Sequence, residues 1–332
     1  MAQGISIKAI SSLVPERMPV ASVARLEAAD ASRRRKSGLE YVYRGIMKQY
    51  RQPLESGEEV VLAGWAEAAS VLGIDEIPIE GQNTLSEMAV LVSRTICDPD
   101  RPFSTIIFCH QINDEEFTVS AACRLQCEVS PKAFAFAVSQ QQGASAMTAM
   151  MLAQSLLEHE PETDNVLVVS ADKWFSPFSR RVGAWSIQGD AAAAISLSRS
   201  GGGHRFLGAG CRSTQPLEPE DAAVDPDASS DTLAVALALT MQEVASDAGI
   251  AISEIDGIFL SAMNPQILRA VESRIGRKLS GSGTRAYLGC SDPIVLLEDA
   301  VREGKPGDLM LVAAAGQSGH AGCLLVERGE AA

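Results

Sequence analysis

The sequence predicts an α/β protein in which helices cover buried strands. The stretch Ala133–Trp174 begins with a short apolar run and continues with a polar turn at residues 139–143, called the elbow below. A long helix rich in Ala, Met and Leu follows, and then a β-branched run. This order is typical of a βαβ unit in a buried sheet. The order strand, helix, strand recurs after Asp231, where Asp308–Ala315 mirrors Asn165–Ala171. Two copies of one pattern predict two pseudo-symmetric halves, each a sheet with helices packed against it.

The first half is predicted to span residues 1–198 and to begin with a strand over Ile5–Val14. Thr84 is followed three residues later by Glu87, a capping-box pattern that starts a helix through Thr95. We interpret the basic run at 33–36 as the solvated face of a helix, with a docking patch as the alternative. The other predicted elements are helix-like segments at Tyr41–Tyr50 and Glu58–Leu72, a strand at Thr105–Cys109, a helix at Thr118–Cys127 and a strand after the Gly189–Asp190 turn.

The second half is predicted to span residues 231–332, after a connector at 199–230 that is rich in Gly, Ser, Pro and Asp. Pro265 suits the first turn of a helix. The predicted elements are a helix at Asp231–Gly249, a strand at Ile255–Leu260, a helix at Pro265–Ile275, a short strand near Ala286–Leu288, a helix at Pro293–Glu303 and strands at Asp308–Ala315 and Gly322–Glu327.

Composition argues against several classes of partner. A net charge of −14 over 332 residues disfavours nucleic acids and anionic membranes, since both need a basic surface. We see no signal peptide and no run near the ~18 apolar residues of a membrane span. The seven cysteines lack paired spacing, and nothing near Cys123 and Cys127 completes a zinc site. We therefore expect a cytoplasmic protein with reduced thiols and no metal.

Several short motifs occur in a recognisable order and spacing. They are Ser120–Gln126, Ala135–Phe136, Asn165–Val169, Gln188–Ala191, Ile255–Asp256 and Gly316–Gly322. From about Thr84 onward the sequence resembles the thiolase superfamily, most closely its ketoacyl-ACP synthase III branch. The resemblance implies a thiolase-like fold of five layers, α-β-α-β-α, with dimerisation through the central sheet and no cofactor. The region from about 20 to 80 departs from this family and is longer.

The resemblance also implies a catalytic triad, whose positions in this chain carry other residues. In the family, a Cys at a helix N-terminus is acylated by a thioester, and a His and an Asn stabilise the enolate formed by decarboxylation. The Cys position falls on Gln142, the His position on Ser261 or Ala262, and the Asn position in Leu288–Ser291, which contains no Asn. Asn264 matches a second, supporting Asn. A carboxamide cannot attack a thioester, so we expect Gln142 only to form hydrogen bonds.

Other side chains are candidates to replace the lost groups, each with a structural alternative. His320 precedes the last strand and is either a displaced base or a polar loop residue. His110 follows a buried strand at the end where α/β folds bind ligands, or is an ordinary strand-end residue. Ser145 is an alternative nucleophile or a small helix-packing residue. We interpret Cys290 as a buried residue rather than a reactive thiol.

A basic cluster follows Asn264. It consists of Arg269, Arg274, Arg277 and Lys278. In the resembling family this region meets the acidic acyl carrier protein, which implies carrier-protein docking through Arg269 and Arg274. An ordinary charged surface is the alternative.

Three functional hypotheses follow. The first is a non-condensing accessory subunit that pairs with an active ketosynthase-like partner, or with itself, in fatty-acid, polyketide or other secondary metabolism. The second is an enzyme with altered chemistry, either a malonyl-thioester decarboxylase or an acyltransferase to oxygen or nitrogen. Family relatives with Gln at the Cys position decarboxylate malonyl-ACP, but they use histidines that this chain lacks at the matching positions. The third is a binding module for acyl chains or acyl carrier protein.

Overall fold

A computed structural model describes residues 4–37, 57–111, 120–175, 178–182, 186–199, 202–214, 226–261, 264–280, 286–316 and 319–330, with backbone only for 31–37 and 226–230. The strands in these ranges are β1 (Ser6–Leu13), β2 (Arg17–Pro19), β3 (Glu76–Pro78), β4 (Thr105–His110), β5 (Phe134–Ser139), β6 (Asn165–Asp172), β7 (Arg181–Val182), β8 (Ser186–Ile187), β9 (Ala191–Ser198), β10 (His204–Ser213), β11 (Gly257–Leu260), β12 (Leu309–Gly316) and β13 (His320–Glu327). The helices are α1 (Val20–Ser37), α2 (Glu58–Leu72), α3 (Leu85–Thr95), α4 (Ala121–Val129), α5 (Ala144–His159), α6 (Pro226–Asp247), α7 (Pro265–Ile275) and α8 (Asp292–Glu303).

Five strands form the sheet of the first half, in the order β5-β4-β6-β9-β1. β4 pairs in parallel with both β5 and β6, as the βαβ pattern predicts, whereas β9 is antiparallel to β6 and to β1. Every residue of β6 and β9 is buried. These strands are therefore covered on both faces, which explains their nearly continuous apolar sequences.

The second half repeats this arrangement in the order β11-β12-β13-β10. β11 and β12 are parallel, like β4 and β6, and β13 is antiparallel to both β12 and β10. β1 and β10 lie side by side and join the two sheets at the pairs Ser6–Arg205 and Ile7–His204. A pseudo-twofold axis therefore passes between them. β10 lies within the segment predicted as a connector, so part of that segment belongs to the second sheet.

The predicted strand near Ala286–Leu288 is wrong. Tyr287 forms an isolated bridge with Gln188 instead of joining the edge of the second sheet. Its amide donates to the Ile187 carbonyl at 2.8 Å, and its carbonyl accepts from the Gly189 amide at 2.9 Å. The backbone of Tyr287 is thus paired with a loop of the first half, a contact that no local pattern indicates.

Three apolar clusters define five layers. The central cluster contains the buried faces of α5 and α8 and the inner faces of both sheets. One outer cluster packs α3 and α4 against the first sheet, and another packs α6 and α7 against the second. The order of layers is therefore α3/α4, first sheet, α5/α8, second sheet and α6/α7. This confirms the α-β-α-β-α architecture.

The region from about 20 to 80 forms a separate layer of α1 and α2 with the β2–β3 hairpin. Its apolar cluster centres on Trp65 of α2 and also includes Ile187 and Ala286. The helix predicted at Glu58–Leu72 is confirmed, and it ends at Gly73, which has the left-handed φ of 67° typical of a helix end. The predicted segment Tyr41–Tyr50 lies outside the described residues, as do the side chains at 33–36.

Local capping patterns set the starts of two outer helices. The capping box at α3 is confirmed, because the Thr84 side chain accepts from the Glu87 amide and the Glu87 carboxylate accepts from the Thr84 amide at 2.8 Å. The helix predicted from Thr118 begins at Ala121, since Ser120 caps it by accepting from the Cys123 amide at 3.4 Å. These two caps fix the residues at which α3 and α4 begin.

Candidate functional site

The elbow between β5 and α5 is the candidate site, and its backbone conformation is unusual. Gln140 and Gln142 have φ angles of 72° and 52°, in the left-handed region that non-glycine residues seldom adopt. The Gln142 side chain is only 4% exposed. Such conformations cost free energy and are frequent at functional sites. Gln142, which we match to the nucleophile position of the resembling family, is therefore buried on a strained turn two residues before Ala144, the first residue of α5.

A tyrosine from the second half occupies the N-terminus of α5. The Gly143 amide donates to the Tyr287 hydroxyl at 2.7 Å, and that hydroxyl donates to the Ala315 carbonyl at 3.4 Å. A Cβ on Gly143 would lie 2.8 Å from the Tyr287 hydroxyl and 2.9 Å from the Ala314 methyl, so only glycine fits. Burial raises the pKa of Tyr287 well above its usual value, which keeps the hydroxyl protonated. The amide of the N-cap residue Gly143 is therefore already hydrogen-bonded within the chain.

The Gln142 side chain packs against β12. A Cβ on Gly316 would lie 3.1 Å from Gln142 Oε1, 3.2 Å from Gln142 Cβ and 2.7 Å from the Gln141 carbonyl. Gly316 therefore lets the last residue of β12 approach the elbow. The carboxamide of Gln142 can donate and accept hydrogen bonds, but it cannot form an acyl-enzyme.

Ser261, which we match to the family's His position, directly follows β11, the strand that pairs with β12. It is fully buried, and its amide donates to the Ala313 carbonyl at 2.9 Å. Leu260 pairs with Ala313 in the parallel ladder, so Ser261 follows on the same face as Ala314, toward the central helices. The Ser261 hydroxyl has no hydrogen-bond partner among the described residues. Ala262 lies outside them.

Asn264 serves a local structural role. Its side-chain oxygen accepts from the Gln266 amide at 2.8 Å and so caps α7, with Pro265 in the first turn.

The segment that we match to the family's Asn position, residues 288–291, contains a tight turn that a buried carboxylate holds. Asp172, the last residue of β6, accepts from the Gln111 amide at 2.7 Å and from the Cys290 amide at 2.6 Å. Gly289 has a φ of 59°, and a Cβ there would lie 2.0 Å from Asp172 Oδ2. Asp172 therefore ties β4 and β6 of the first half to the start of α8 in the second.

Sequence reasoning missed the roles of Tyr287 and Asp172. A charged residue at the end of the mainly apolar strand β6 was the available signal for Asp172. Tyr287 offered no signal beyond being a lone aromatic residue near a Gly/Ser-rich turn. Each acts on residues more than a hundred positions away.

The candidate nucleophiles Cys290 and Ser145 are both buried. Burial, followed by the negative charge of Asp172, raises the pKa of the Cys290 thiol well above its usual value, so the reactive thiolate is suppressed. The Ser145 hydroxyl accepts from the Gln141 amide at 3.3 Å and thereby stabilises the elbow. These contacts support the structural interpretation of both residues.

The two candidate bases lie on different faces. His320 begins β13 and pairs with Gly316 and Ser213, and strand alternation places it on the same face as Gly322, which packs against α5. Burial lowers the pKa of the half-buried His320 imidazole. His110 instead stacks on Phe108 at 5.3 Å between ring centroids, on the outer face of the first sheet. His320 is the histidine placed on the elbow side.

Most of the predicted basic cluster is engaged in local contacts. Arg274 pairs with Asp231, Lys278 pairs with Glu272 at 2.9 Å, and Arg277 donates to carbonyls at 252–255. Arg269 is exposed on α7. The cluster therefore does not form one continuous cationic surface.

The described part of the chain contains no group of three or more His, Cys, Asp or Glu side chains arranged to hold a metal ion. All seven cysteines lie in that part, and each is a free thiol. None of its helices combines the length and apolar character needed to cross a bilayer.

Comparison with known proteins establishes the fold. No family model and no curated protein matches the sequence. Solved structures match over nearly the whole chain: the acyltransferase ChlB3 (TM-score 0.74, 19% identity, 98% of each chain), the 3-oxoacyl-(acyl carrier protein) synthase III FabH from Pseudomonas aeruginosa PAO1 (0.72, 15%, 99% of each chain) and a variant of OleA from Xanthomonas campestris (0.72, 15%, 98% of each chain). The five layers, the pseudo-twofold arrangement and these matches together show that the protein has the thiolase-like fold of the ketoacyl-ACP synthase III type.

Proposed function

We propose that the protein is a non-condensing, accessory thiolase-fold subunit that pairs with an active ketosynthase-like partner in fatty-acid- or polyketide-type biosynthesis. One observation carries the proposal: Gln142, at the predicted nucleophile position, is buried, and the adjacent Gly143 amide donates to the Tyr287 hydroxyl at 2.7 Å. Condensation needs a thiolate and free backbone donors at this helix N-terminus. This chain provides a carboxamide and a donor that is already in use.

The open edge of the first sheet supports a role in pairing. Among the described strands β5 lies at the edge of the first sheet, and the Phe134 side chain on it is 69% exposed, with its ring 5.6 Å from that of Phe136. Unpaired edge strands with apolar side chains favour addition of another strand. At the opposite edge, Ser280 covers β11, because its amide donates to the Ile258 carbonyl at 2.7 Å. We therefore assign partner binding to β5.

Native mass spectrometry after co-expression with a neighbouring ketosynthase-like gene product tests the proposal. We expect a one-to-one heterodimer whose condensing activity depends on the partner's own cysteine. A Phe134→Glu variant should abolish pairing, whereas Val235→Glu, a matched change at an exposed apolar residue of α6, should not. A chain that forms a stable homodimer and condenses thioesters alone would refute the proposal.

A second candidate function rests on His320. Its lowered pKa and its position on the elbow side suit a general base in malonyl-thioester decarboxylation or acyl transfer. Turnover of malonyl- and acyl-thioesters by the wild type and by His320→Ala distinguishes this candidate. Turnover that His320→Ala abolishes would favour altered chemistry, and identical background rates in both proteins would exclude it.

A further inference from the structure

Two of the seven cysteines lie exposed on one helix, whereas the other five are buried or half-buried. Cys123 and Cys127 are four residues apart in α4, which runs without interruption from Ala121 to Val129. Residues at this spacing lie one above the other on the same helix face. Free cysteine is among the most buried residue types in proteins, so a pair of thiols on one solvent-facing surface is unusual.

The core packing of α4 fixes the direction of this face. Ala121, Ala122 and Leu125 are the residues that α4 buries against the first sheet. Leu125 is two residues from each cysteine, which is about half a turn around the helix axis. The two thiols therefore lie on the side of α4 away from the sheet. Their relative positions are set by a regular helix and not by a loop.

The spacing is too wide for a disulfide and suits a bridging metal ion. Side chains four residues apart on a helix have Cβ atoms ~5–6 Å apart, whereas a disulfide needs ~3.5–4.5 Å between them. Two thiolates that bind one soft ion from opposite sides are separated by about twice the ~2.3 Å metal–sulfur bond, or about 4.6 Å. Each sulfur lies one bond beyond its Cβ, so rotation about χ1 reaches this separation without a change in the helix.

The nearest carboxylate is engaged by arginines. Glu128 directly follows Cys127, and its two oxygens accept from Arg124 at 3.0 Å and from Arg94 at 3.1 Å. A tetrahedral zinc site needs further ligands, and the described residues contain no group of three or more His, Cys, Asp or Glu side chains that could supply them. The pair therefore suits an ion that is stable with two thiolates alone.

We propose that Cys123 and Cys127 bind a single Cu(I) ion. Cu(I) prefers soft thiolate ligands and is stable with two of them in a linear arrangement. Each thiol releases its proton on binding, so the two thiols and Cu(I) give a singly negative bis-thiolate complex and two protons. The helix holds both ligands in place before the ion arrives, which lowers the entropic cost of binding. This site does not depend on the proposed subunit role.

Anaerobic titration of the reduced full-length protein with Cu(I), in competition with the chromophoric chelator bicinchoninate, tests the proposal. We expect a single Cu(I) ion per chain, and Cys123→Ser and Cys127→Ser should each abolish its binding. Cys211→Ser is the matched control, because it removes a half-buried thiol of β10 in the second half and should leave binding unchanged. Copper binding that survives in both the Cys123 and the Cys127 variants would overturn the proposal.

Further measurements separate this site from other uses of the two thiols. Because both residues are exposed, neither serine variant should lower the urea midpoint, so a loss of copper binding is not a loss of folding. X-ray absorption of the bound copper should show two sulfur ligands, and a three- or four-coordinate ion would overturn the proposal. Copper-dependent dimerisation would show that two chains share the ion and would also overturn it. Treatment of the folded protein with diamide should give no disulfide between Cys123 and Cys127, and a disulfide found by mass spectrometry would contradict the spacing argument.

Discussion

Replacement of Tyr287 by Phe tests whether its hydroxyl holds the N-terminus of α5. The change removes only the oxygen that accepts from the Gly143 amide at 2.7 Å and keeps the ring that packs in the core. The amide then remains buried without an acceptor. An unsatisfied buried donor costs about 1–3 kcal/mol, so the free energy of unfolding should fall by that amount.

Urea denaturation at neutral pH measures this loss from the midpoint and slope of the transition. Ser170→Ala is the matched control, because it deletes another buried hydroxyl, which donates to the Ala193 carbonyl at 3.3 Å, without leaving an amide unpaired. We expect the control to lose only about 0.5–1.5 kcal/mol. In the Tyr287→Phe protein the Gly143 amide should also exchange its hydrogen faster relative to strand amides.

A Tyr287→Phe loss no greater than that of Ser170→Ala, together with unchanged exchange at Gly143, would refute this reasoning. The hydroxyl would then contribute nothing to the helix N-terminus, and the observation that carries the proposed function would be lost.

Three further predictions concern other buried groups. Asp190→Ala leaves the Arg180 guanidinium buried without its bidentate partner, so the free energy of unfolding should fall by about 3–5 kcal/mol in urea denaturation; a loss below about 1 kcal/mol would contradict this. Gln142→Cys installs a thiol but should give no condensation product from acetyl- and malonyl-thioesters by mass spectrometry, since the Gly143 amide is still occupied; a ketoacyl product would contradict it. Burial raises the pKa of the Cys109 and Cys290 thiols, so the folded state keeps protons that the unfolded chain loses above about pH 8.5, and stability should decrease from pH 8 to 10. Alanine at both positions should flatten that decrease, and an unchanged pH profile would show that these thiols are not its source.

Much of the fold could be predicted from local patterns. The apolar run of β6, the small-residue start of α5 and the capping box at Thr84 each depend on residues within a few positions. The repeat of this pattern also predicted the second half. The strand predicted near Ala286–Leu288 is not formed, because Tyr287 pairs with Gln188 of the first half. The local spacing of apolar residues carries no information about such a contact between the two halves.

For the candidate site, the sequence predicted the position of the elbow and showed that residue 142 is a glutamine and not a cysteine. It did not indicate which groups surround Gln142. Tyr287 reaches Gly143 across 144 residues, and Asp172 reaches Cys290 across 118. Cys290 was interpreted as a buried residue because nothing in the sequence indicates a lowered pKa there, but its raised pKa depends on burial and on the neighbouring Asp172.

The sequence by itself determined the α/β order of elements, the duplication and the presence of a glutamine rather than a cysteine at residue 142, because these depend on side-chain chemistry and on short-range spacing. Only the tertiary structure decided that a tyrosine hydroxyl occupies the N-terminus of α5 and that one carboxylate joins the two halves. Those features arise where distant segments are buried together. Burial changes the pKa of a group and the free energy that a hydrogen bond contributes to stability. The residues that bury these groups come from segments far apart in sequence.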